Sequence, residues 1–252
     1  MLHIVIPMAG LGSRFARAGY DRPKPLIEVH GVPMIRLVID NIRPQQCHRF
    51  IFICQRAHDA AYGIGALLNR WAPGCAIILL DGMTDGAACS VLAARHLIFN
   101  DHGLMIANSD QYVDVAIDTY LAALSDRSLD GLVMTMQATD PKWSFAALDP
   151  TGLVAQIAEK QPISPNATVG IYNFARGSDF VRAADAMIAG NERSAGEFYV
   201  APVYNRLIAA GARIGVYDIG CESAGMHGLG IPEDLEQFLA TDLSRRLAEP
   251  AL

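Results

Sequence analysis

The 252-residue chain has few lysines, few cysteines and no long apolar run, and each shortage excludes a class of function. Its five cysteines are odd in number and form no Cys-x-x-Cys pair, which argues against structural zinc and favours free thiols in a reducing compartment. No apolar stretch approaches the roughly 18 residues that a membrane span needs, and the start lacks a basic leader. A net charge of −6 argues against nucleic acid as the main partner. We therefore expect a cytoplasmic protein whose ligands are small molecules.

Lysine is rare in a chain with 20 basic residues, because only Lys24, Lys142 and Lys160 are lysines and the rest are arginines. Lysine carries a compact ammonium with three donors, which suits a point contact to a phosphate oxygen. Lys24 and Lys160 fall within the motifs described below. We therefore predict functional roles for these two lysines.

The stretch from Ile4 to Leu26 carries the clearest functional pattern. Ile4-Val5-Ile6 predicts a buried strand. The loop Gly10-Leu11-Gly12-Ser13-Arg14 lets the backbone turn tightly and present N–H groups to phosphate oxygens, and Lys24 adds positive charge. Phe15 stands where a dinucleotide fingerprint requires a third glycine, and the Gly-Lys-Ser/Thr of a P-loop is missing. The pattern therefore predicts a polyphosphate site of another kind.

The strand, the Gly-x-Gly-x-Arg loop, Pro-Lys-Pro-Leu at 23–26 and the turn Gly31-x-Pro33 together resemble the sugar-phosphate nucleotidyltransferases. That resemblance implies a GT-A-like, three-layer α/β/α fold with a mostly parallel central sheet and a smaller acceptor-side sheet. It implies that Arg14 and Lys24 act on the phosphates of a nucleoside triphosphate. Its nucleotide-binding residues in the loop are Ala9, Gly10, Gly12 and Ser13.

The order of the predicted elements agrees with such a fold. In the first half, strands at residues 4–6, 49–53, 76–80 and 104–107 alternate with helices at 34–42 and 58–71, as in a doubly wound sheet. The second half is predicted to hold strands at 131–137, 145–148, 153–159, 168–174 and 214–219, and a last helix to about 247. We expect one domain over residues 1–252, with a nucleotide-binding half to about residue 112 and an acceptor-binding half from about 113.

The turn that follows the third predicted strand occupies the position at which the resembled family recognises the base. The family usually offers a Gln and a backbone Gly there. Gly86 matches, but no Gln precedes it. The resemblance assigns Asp81, Asp85 and Gly86 to nucleotide binding. Since a carboxylate only accepts hydrogen bonds, Asp81 and Asp85 favour a base with an exocyclic amine and hence CTP; the alternative is an Asp that caps a helix.

Asp110 lies at the carboxyl end of the fourth predicted strand, where ligands bind in α/β sheets. In the resembled family a similar Asp holds Mg²⁺, and an Asx turn is the alternative. The family's second carboxylate falls here on Gly228. We therefore expect Asp110 to be the principal ligand of Mg²⁺ that arrives with the triphosphate. Only tight binding of Mg²⁺ without nucleotide would indicate that a further carboxylate, Asp218 or Glu222, completes the site. His227 is expected to make an indirect or substrate contact or to be an ordinary loop histidine.

The second half resembles the acceptor side of the same family, whose pattern is Glu-Lys-Pro followed by Gly-x-Tyr. Here Glu159-Lys160-Gln161-Pro162 precedes Gly170-Ile171-Tyr172. The resemblance implies that a Glu binds sugar hydroxyls, a Lys binds the acceptor phosphate and a Tyr contacts the sugar or its phosphate. Ser144 stands where the family often has Gly, which indicates an unusual acceptor. The implied acceptor-binding residues are Glu159, Lys160, Gly170, Tyr172 and Glu197.

The reaction that this resemblance implies joins a nucleoside triphosphate to a sugar 1-phosphate, with release of pyrophosphate, for surface polysaccharide synthesis. The attacking phosphate is already ionised, so positioning and charge neutralisation suffice. Three alternatives stay open: a cytidylyltransferase for a non-sugar phosphate such as phosphocholine, a GT-A glycosyltransferase, and a non-catalytic nucleotide-binding module. Asn108-Ser109-Asp110 lacks the first Asp of the glycosyltransferase Asp-x-Asp motif. A homodimer is a further possibility.

Overall fold

The computed structural model describes residues 1–248 of the chain. Its strands are β1 (Leu2–Pro7), β2 (Glu28–Val29), β3 (Val32–Pro33), β4 (His48–Gln55), β5 (Ala76–Leu80), β6 (Gly103–Ala107), β7 (Gln111–Val113), β8 (Gly131–Gln137), β9 (Ser144–Leu148), β10 (Val154–Glu159), β11 (Asn166–Phe174), β12 (Ile214–Glu222) and β13 (Gly225–Gly228). Its helices are α1 (Ser13–Arg17), α2 (Met34–Asn41), α3 (Arg56–Tyr62), α4 (Ile64–Trp71), α5 (Ala87–Leu92), α6 (Arg95–Ile98), α7 (Ile117–Asp126), α8 (Gly177–Ala189), α9 (Val203–Ala209), α10 (Pro232–Leu239) and α11 (Asp242–Ala248). Within these residues no helix is both long enough and apolar enough to cross a membrane.

Strands from both halves of residues 1–248 join in one 11-stranded sheet, with the order β5-β4-β1-β6-β11-β8-β12-β13-β7 and the hairpin β9–β10 attached at β11. Among the described strands of this order, β11 and β7 are antiparallel to the others. Four strands from the first half of the chain, β5, β4, β1 and β6, pair in parallel. Their carboxyl ends therefore meet at one edge of the sheet, where the connecting loops can form a site.

The burial of β1 explains why it lies inside the sheet. Ile4, Val5 and Ile6 are fully buried. Side chains alternate across a strand, so Ile4 and Ile6 join one apolar cluster and Val5 joins another on the opposite face. Helices cover both faces, which gives the three layers that the sequence predicts. The GT-A-like α/β fold is confirmed.

Two predicted helices are each interrupted. The helix expected over 58–71 is α3 followed by α4, because Gly63 adopts a left-handed conformation with φ 62° and donates its N–H to the Asp59 carbonyl. The Asp59 side chain then accepts the N–H of Gly65 and supports the start of α4. The last helix, expected to about residue 247, is α10 followed by α11. Thr241 lies between them, and its hydroxyl accepts the N–H of Ser244.

Candidate functional site

A cleft at the carboxyl ends of β1 and β6 contains a cavity of about 290 Å³, here called the central cavity. All three lysines of the chain line it, although they come from distant parts of the sequence. Four cations and two carboxylates form its charged lining: Arg14, Lys24, Asp110, Lys142, Lys160 and Asp234.

The glycine loop forms one wall of this cleft, next to Lys24. Gly12 has φ 61°, and a Cβ on it would lie 3.3 Å from the Cβ of Lys24. Glycine therefore allows the loop to pack closely against the Pro-Lys-Pro segment. Ser13 then begins α1, and Arg14 in its first turn lines the central cavity.

Lys24 begins a short 3₁₀ turn, Lys24–Leu26, whose Pro25 and Leu26 are buried. This anchoring directs the ammonium towards Asp110, and the Lys24 Nζ lies 2.7 Å from the Asp110 Oδ2. The side chains of Lys24 and Asp110 are 24% and 22% exposed, so the pair is partly screened but reachable from the cavity. The sequence-predicted catalytic residues Arg14, Lys24 and Asp110 are thus brought together.

A second carboxylate, from Asp234 in the first turn of α10, lies in the same cavity as Asp110. Two glycines of the preceding segment make room for the pair. A Cβ on Gly228 would lie 3.0 Å from the Asp234 Oδ2, and a Cβ on Gly230 would lie 2.6 Å from the Asp110 Oδ2. Burial raises the pKa of Asp234 above its ordinary value. The sequence did not predict Asp234, because the family's second carboxylate was expected at Gly228, in the segment before α10.

Neither of the two carboxylates named from the sequence lines the central cavity. Asp218 accepts a hydrogen bond from Gln137. The Glu222 carboxylate pairs with Lys142 at 2.7 Å and lines a neighbouring pocket together with Asp234. His227 belongs to β13, and its Nε2 lies 2.8 Å from the Asp114 Oδ2, so it is a strand residue and not a loop residue.

The donor set of the central cavity fits Mg²⁺. Two carboxylates are enough for a cation that keeps several waters and takes further oxygens from substrate phosphates. Within residues 1–248 no group of three or more His, Cys, Asp or Glu side chains could hold a metal.

A smaller cavity of about 200 Å³, the loop cavity, lies between the glycine loop and the turn before α5. The amide of the buried Gln55 ties these two segments together, because its Nε2 donates to the carbonyls of Ala9 and Gly82. Sequence reasoning also missed Gln55, although its place at the carboxyl end of β4 was a usable signal. The loop cavity is lined by Ala9, Gly10, Met83, Thr84, Gly86 and Glu197, among others.

The structure does not bring the carboxylates of Asp81 and Asp85 into the loop cavity. Asp81 pairs with Arg56 at 2.6 Å, and the hydrogen bond from Arg56 lowers the pKa of Asp81. Asp85 pairs with Arg193 at 2.8 Å. Both arginines lie outside the cavity lining, so these carboxylates are held on the outer side of the turn. Glu197, expected at the acceptor, lines the loop cavity instead.

The inner cavity, of about 260 Å³, lies along β9 and β11. Glu159 is buried here, and the Ser144 hydroxyl donates a hydrogen bond to its carboxylate. Burial raises the pKa of Glu159 above its ordinary value. The Tyr172 hydroxyl lies 3.1 Å from the Thr168 Oγ1, and burial raises the Tyr172 pKa strongly. The inner cavity thus presents buried hydroxyls and one carboxylate, a set that hydrogen-bonds a polyhydroxylated ligand.

Gly170 lines the inner cavity beside Asn108, which lines both the inner and the central cavity. It has φ 82°, and a Cβ there would lie 2.1 Å from the Asn108 Nδ2. Lys160, at φ 55°, places its Nζ 2.9 Å from the Tyr199 hydroxyl. Lys160 lines the central cavity and Tyr199 lines the inner one. The predicted acceptor residues Glu159, Lys160, Gly170 and Tyr172 are therefore gathered around this junction.

A three-layer α/β fold with a glycine loop above a cation-rich cleft defines a class of protein that binds nucleotide phosphates. Residues 4–198 match the family model described as Nucleotidyl transferase, and the chain belongs to this family. The resemblance predicted from the sequence is confirmed at this level.

Similar proteins fit this assignment. The chain is 25% identical over 240 residues to the Bifunctional protein GlmU of Paracoccus denitrificans (strain Pd 1222). This match covers 92% of the chain and 50% of the relative, so the chain spans about half that protein's length. A nucleoside-diphosphate-sugar pyrophosphorylase from Vibrio cholerae RC9 has a TM-score of 0.79 at 29% identity, covering 94% of this chain and 100% of that one. An inositol-1-phosphate CTP transferase from T. maritima shares the fold at 14% identity, with a TM-score of 0.74 and coverage of 99% and 97%.

Proposed function

We propose that this protein transfers a nucleotidyl group from a nucleoside triphosphate to a sugar 1-phosphate and releases pyrophosphate. The observation that carries this proposal is the junction of two unlike cavities, one lined by cations beside the glycine loop and the other by buried hydrogen-bonding groups. The product is a nucleoside diphosphate sugar, the activated form from which surface polysaccharides are built. The name of the similar nucleoside-diphosphate-sugar pyrophosphorylase supports the same class of substrate.

Charge supports the donor side of the proposal. The chain has a net charge of −6, yet four cations and two carboxylates line the central cavity. This local excess of positive charge attracts two anionic substrates. An oxygen of the acceptor phosphate attacks the α-phosphorus, and the bond to the pyrophosphate oxygen breaks with its electron pair. Arg14 and Lys24 lie beside the glycine loop, where they neutralise the pyrophosphate that leaves.

Asp110 and Asp234 are the residues that would hold Mg²⁺. The ion supplies further neutralisation of phosphate charge when it is bound. The Lys24 ammonium lies against Asp110 in this structure and so balances one of the two carboxylates. No general base is needed, because the acceptor phosphate is ionised near neutral pH.

The inner cavity favours a sugar over phosphocholine as the acceptor. Recognition of a quaternary ammonium uses open faces of aromatic rings. Here the Lys142 Nζ lies 4.9 Å from the centre of the Trp143 ring, and the Lys160 Nζ lies 5.1 Å from that of Tyr199. The Trp143 ring face thus already carries a cation, and the Lys160 ammonium already donates to the Tyr199 hydroxyl. The buried Glu159 carboxylate, in contrast, can accept hydrogen bonds from sugar hydroxyls.

A screen of pyrophosphate release tests the proposal. The four ribonucleoside triphosphates and dTTP would each be combined with glucose 1-phosphate, N-acetylglucosamine 1-phosphate, inositol 1-phosphate and phosphocholine, with and without Mg²⁺. We expect release only with Mg²⁺ and a sugar 1-phosphate. Release with phosphocholine alone would contradict the sugar assignment. Triphosphate binding without release from any pair would instead indicate a binding module.

The metal assignment has its own test. Asp110→Asn should nearly abolish turnover, and Asp234→Asn should weaken Mn²⁺ binding, followed by electron paramagnetic resonance with a non-hydrolysable triphosphate present. The matched control is Glu233→Gln, a neighbouring exposed acid in the same helical turn, which should bind Mn²⁺ like wild type. Without nucleotide we expect barely detectable binding of Mg²⁺ by calorimetry. Tight binding of Mg²⁺ to the free protein would show that the carboxylate pair is not the whole site.

A further inference from the structure

Lys142 is the lysine to which sequence reasoning gave no role. It precedes β9, and its Nζ donates a hydrogen bond to the Glu222 Oε1 at 2.7 Å. Its side chain is 38% exposed, as is that of Glu222. An ion pair this open contributes little to stability. An apolar contact in this place would therefore stabilise the fold as well as the ion pair does.

The place of Lys142 in the cleft is unusual. Three residues line both the central and the inner cavity: Asn108, Lys142 and Trp143. Among the residues that the structure describes, Lys142 is thus the charged side chain shared by the two linings. The boundary that it occupies is where a ligand in one cavity would meet a ligand in the other.

That boundary is the reaction centre if nucleotidyl transfer takes place here. The acceptor phosphate must approach the α-phosphate of the donor, and both groups are anions. Their repulsion grows as they approach and is strong in a partly buried cleft, where the effective dielectric constant is low. A cation between them opposes the repulsion at the point where it is greatest.

We propose that Lys142 is this cation: its ammonium contacts the phosphates of both substrates at once and makes their joint binding possible. The inference rests on the proposed nucleotidyl transfer. Glu222 holds the flexible lysine stem at the edge of the boundary and exchanges with phosphate oxygens when the anions bind. A lysine suits this exchange, because its three donors can be shared among separate oxygens.

The test measures joint anion binding, which requires no knowledge of the base or the sugar. Inorganic tripolyphosphate serves as the donor probe and inorganic phosphate as the acceptor probe, both followed by calorimetry with Mg²⁺ present. Lys142→Gln should weaken phosphate binding to protein saturated with tripolyphosphate by about tenfold to a hundredfold, as expected for one charged hydrogen bond. The loss should be smaller when either anion binds alone.

Two further variants separate this role from a structural one. Glu222→Gln breaks the same ion pair but frees the lysine, so joint binding should stay equal or become tighter. Arg95→Gln removes a cation from a comparably exposed pair with Asp185, on α6 away from the cavities, and should leave joint binding unchanged. If Lys142→Gln proves unfolded, the direction of the Glu222→Gln effect decides instead.

The proposal is overturned if Lys142→Gln binds phosphate like wild type in the presence of tripolyphosphate, or if it and Glu222→Gln weaken joint binding equally. It is also overturned if the wild-type protein cannot bind the two anions together. Failure of nucleotidyl transfer would show differently, as no pyrophosphate release from any substrate pair. The anion measurements would still decide the role of Lys142.

Discussion

The turn before α5 is shaped by Gly86, and replacing this glycine tests how the loop cavity is built. Gly86 has φ 128°, a conformation that side chains rarely adopt, and a Cβ there would lie 2.5 Å from the carbonyl oxygen and 2.6 Å from the nitrogen of Phe198. Both are backbone atoms and cannot move aside as a side chain could. The same contact is fixed by hydrogen bonds from Phe198 N to the Asp85 carbonyl at 2.8 Å and from Ala88 N to the Phe198 carbonyl at 3.0 Å.

Gly86→Ala leaves the chain two responses. If the turn keeps its conformation, the strained backbone costs about 1–3 kcal/mol, and the overlap of the new Cβ with Phe198 adds to that cost. If the turn moves away from Phe198, two hydrogen bonds are lost, at about 0.5–1.5 kcal/mol each. Either route costs about 2 kcal/mol or more, and about 2 kcal/mol lowers the unfolding midpoint by about 4–8 °C in a protein of this size. We also expect weaker triphosphate binding, since both routes distort the loop cavity.

The matched control is Gly82→Ala in the same turn. A Cβ on Gly82 meets nothing within 4 Å, and its φ is not in the left-handed range. Chemical and thermal denaturation of both variants should therefore show a loss for Gly86→Ala and almost none for Gly82→Ala. Equal stability of the two would refute the argument that the Phe198 contact shapes the turn.

Three further predictions concern the cleft. Lys24→Ala should lower turnover by roughly a hundredfold or more, since one preorganised charge contact contributes about 3 kcal/mol in a transition state. Wild-type kinetics in this variant would show that Lys24 is not part of the active site. Lys160→Ala should raise the KM for the acceptor and leave triphosphate affinity nearly unchanged by calorimetry, and a large loss of triphosphate binding would assign it to the donor instead. Burial raises the pKa of Glu159 above 4.5, so the folded protein holds this proton more tightly than the unfolded chain and loses stability as pH rises through the folded pKa. Glu159→Gln has no such loss, so its free energy of unfolding should rise relative to that of the wild type as the pH increases from 4 to neutral. Parallel pH profiles of the two free energies would contradict this.

The features that the sequence predicts well depend on residues close together in the chain. The apolar Ile4–Ile6 run, the glycine loop and the Pro-Lys-Pro segment are local patterns, and each forms the expected structure. Asp110 lies at the predicted edge of the sheet for a related reason: the carboxyl ends of parallel strands meet at one edge wherever each strand sits in the sheet. The interruption at Gly63 was not predicted, although a glycine within a helical pattern is a local signal for one.

The features that sequence reasoning missed depend on partners far apart in the chain. Asp81 and Asp85 follow a strand end and suggest base contacts, but Arg56 and Arg193 hold them on the outer side of the turn. Asp234 reaches Asp110 because α10 folds back over Gly228–Gly230, which no local pattern indicates. Such placements follow from packing of the whole chain and not from spacing.

The positions of the three lysines acquire a physical reason from the structure. Each lysine ammonium lies within 2.9 Å of an oxygen: Lys24 on Asp110, Lys142 on Glu222 and Lys160 on Tyr199. These partners reduce the repulsion among cations in one cleft and hold each stem in place before a substrate binds. Arginine would commit its planar fork to a carboxylate, whereas an ammonium can keep one partner and still donate to a phosphate. A cleft that must bind two polyanions and then release pyrophosphate is better served by contacts that are shared and exchanged than by fixed bidentate pairs.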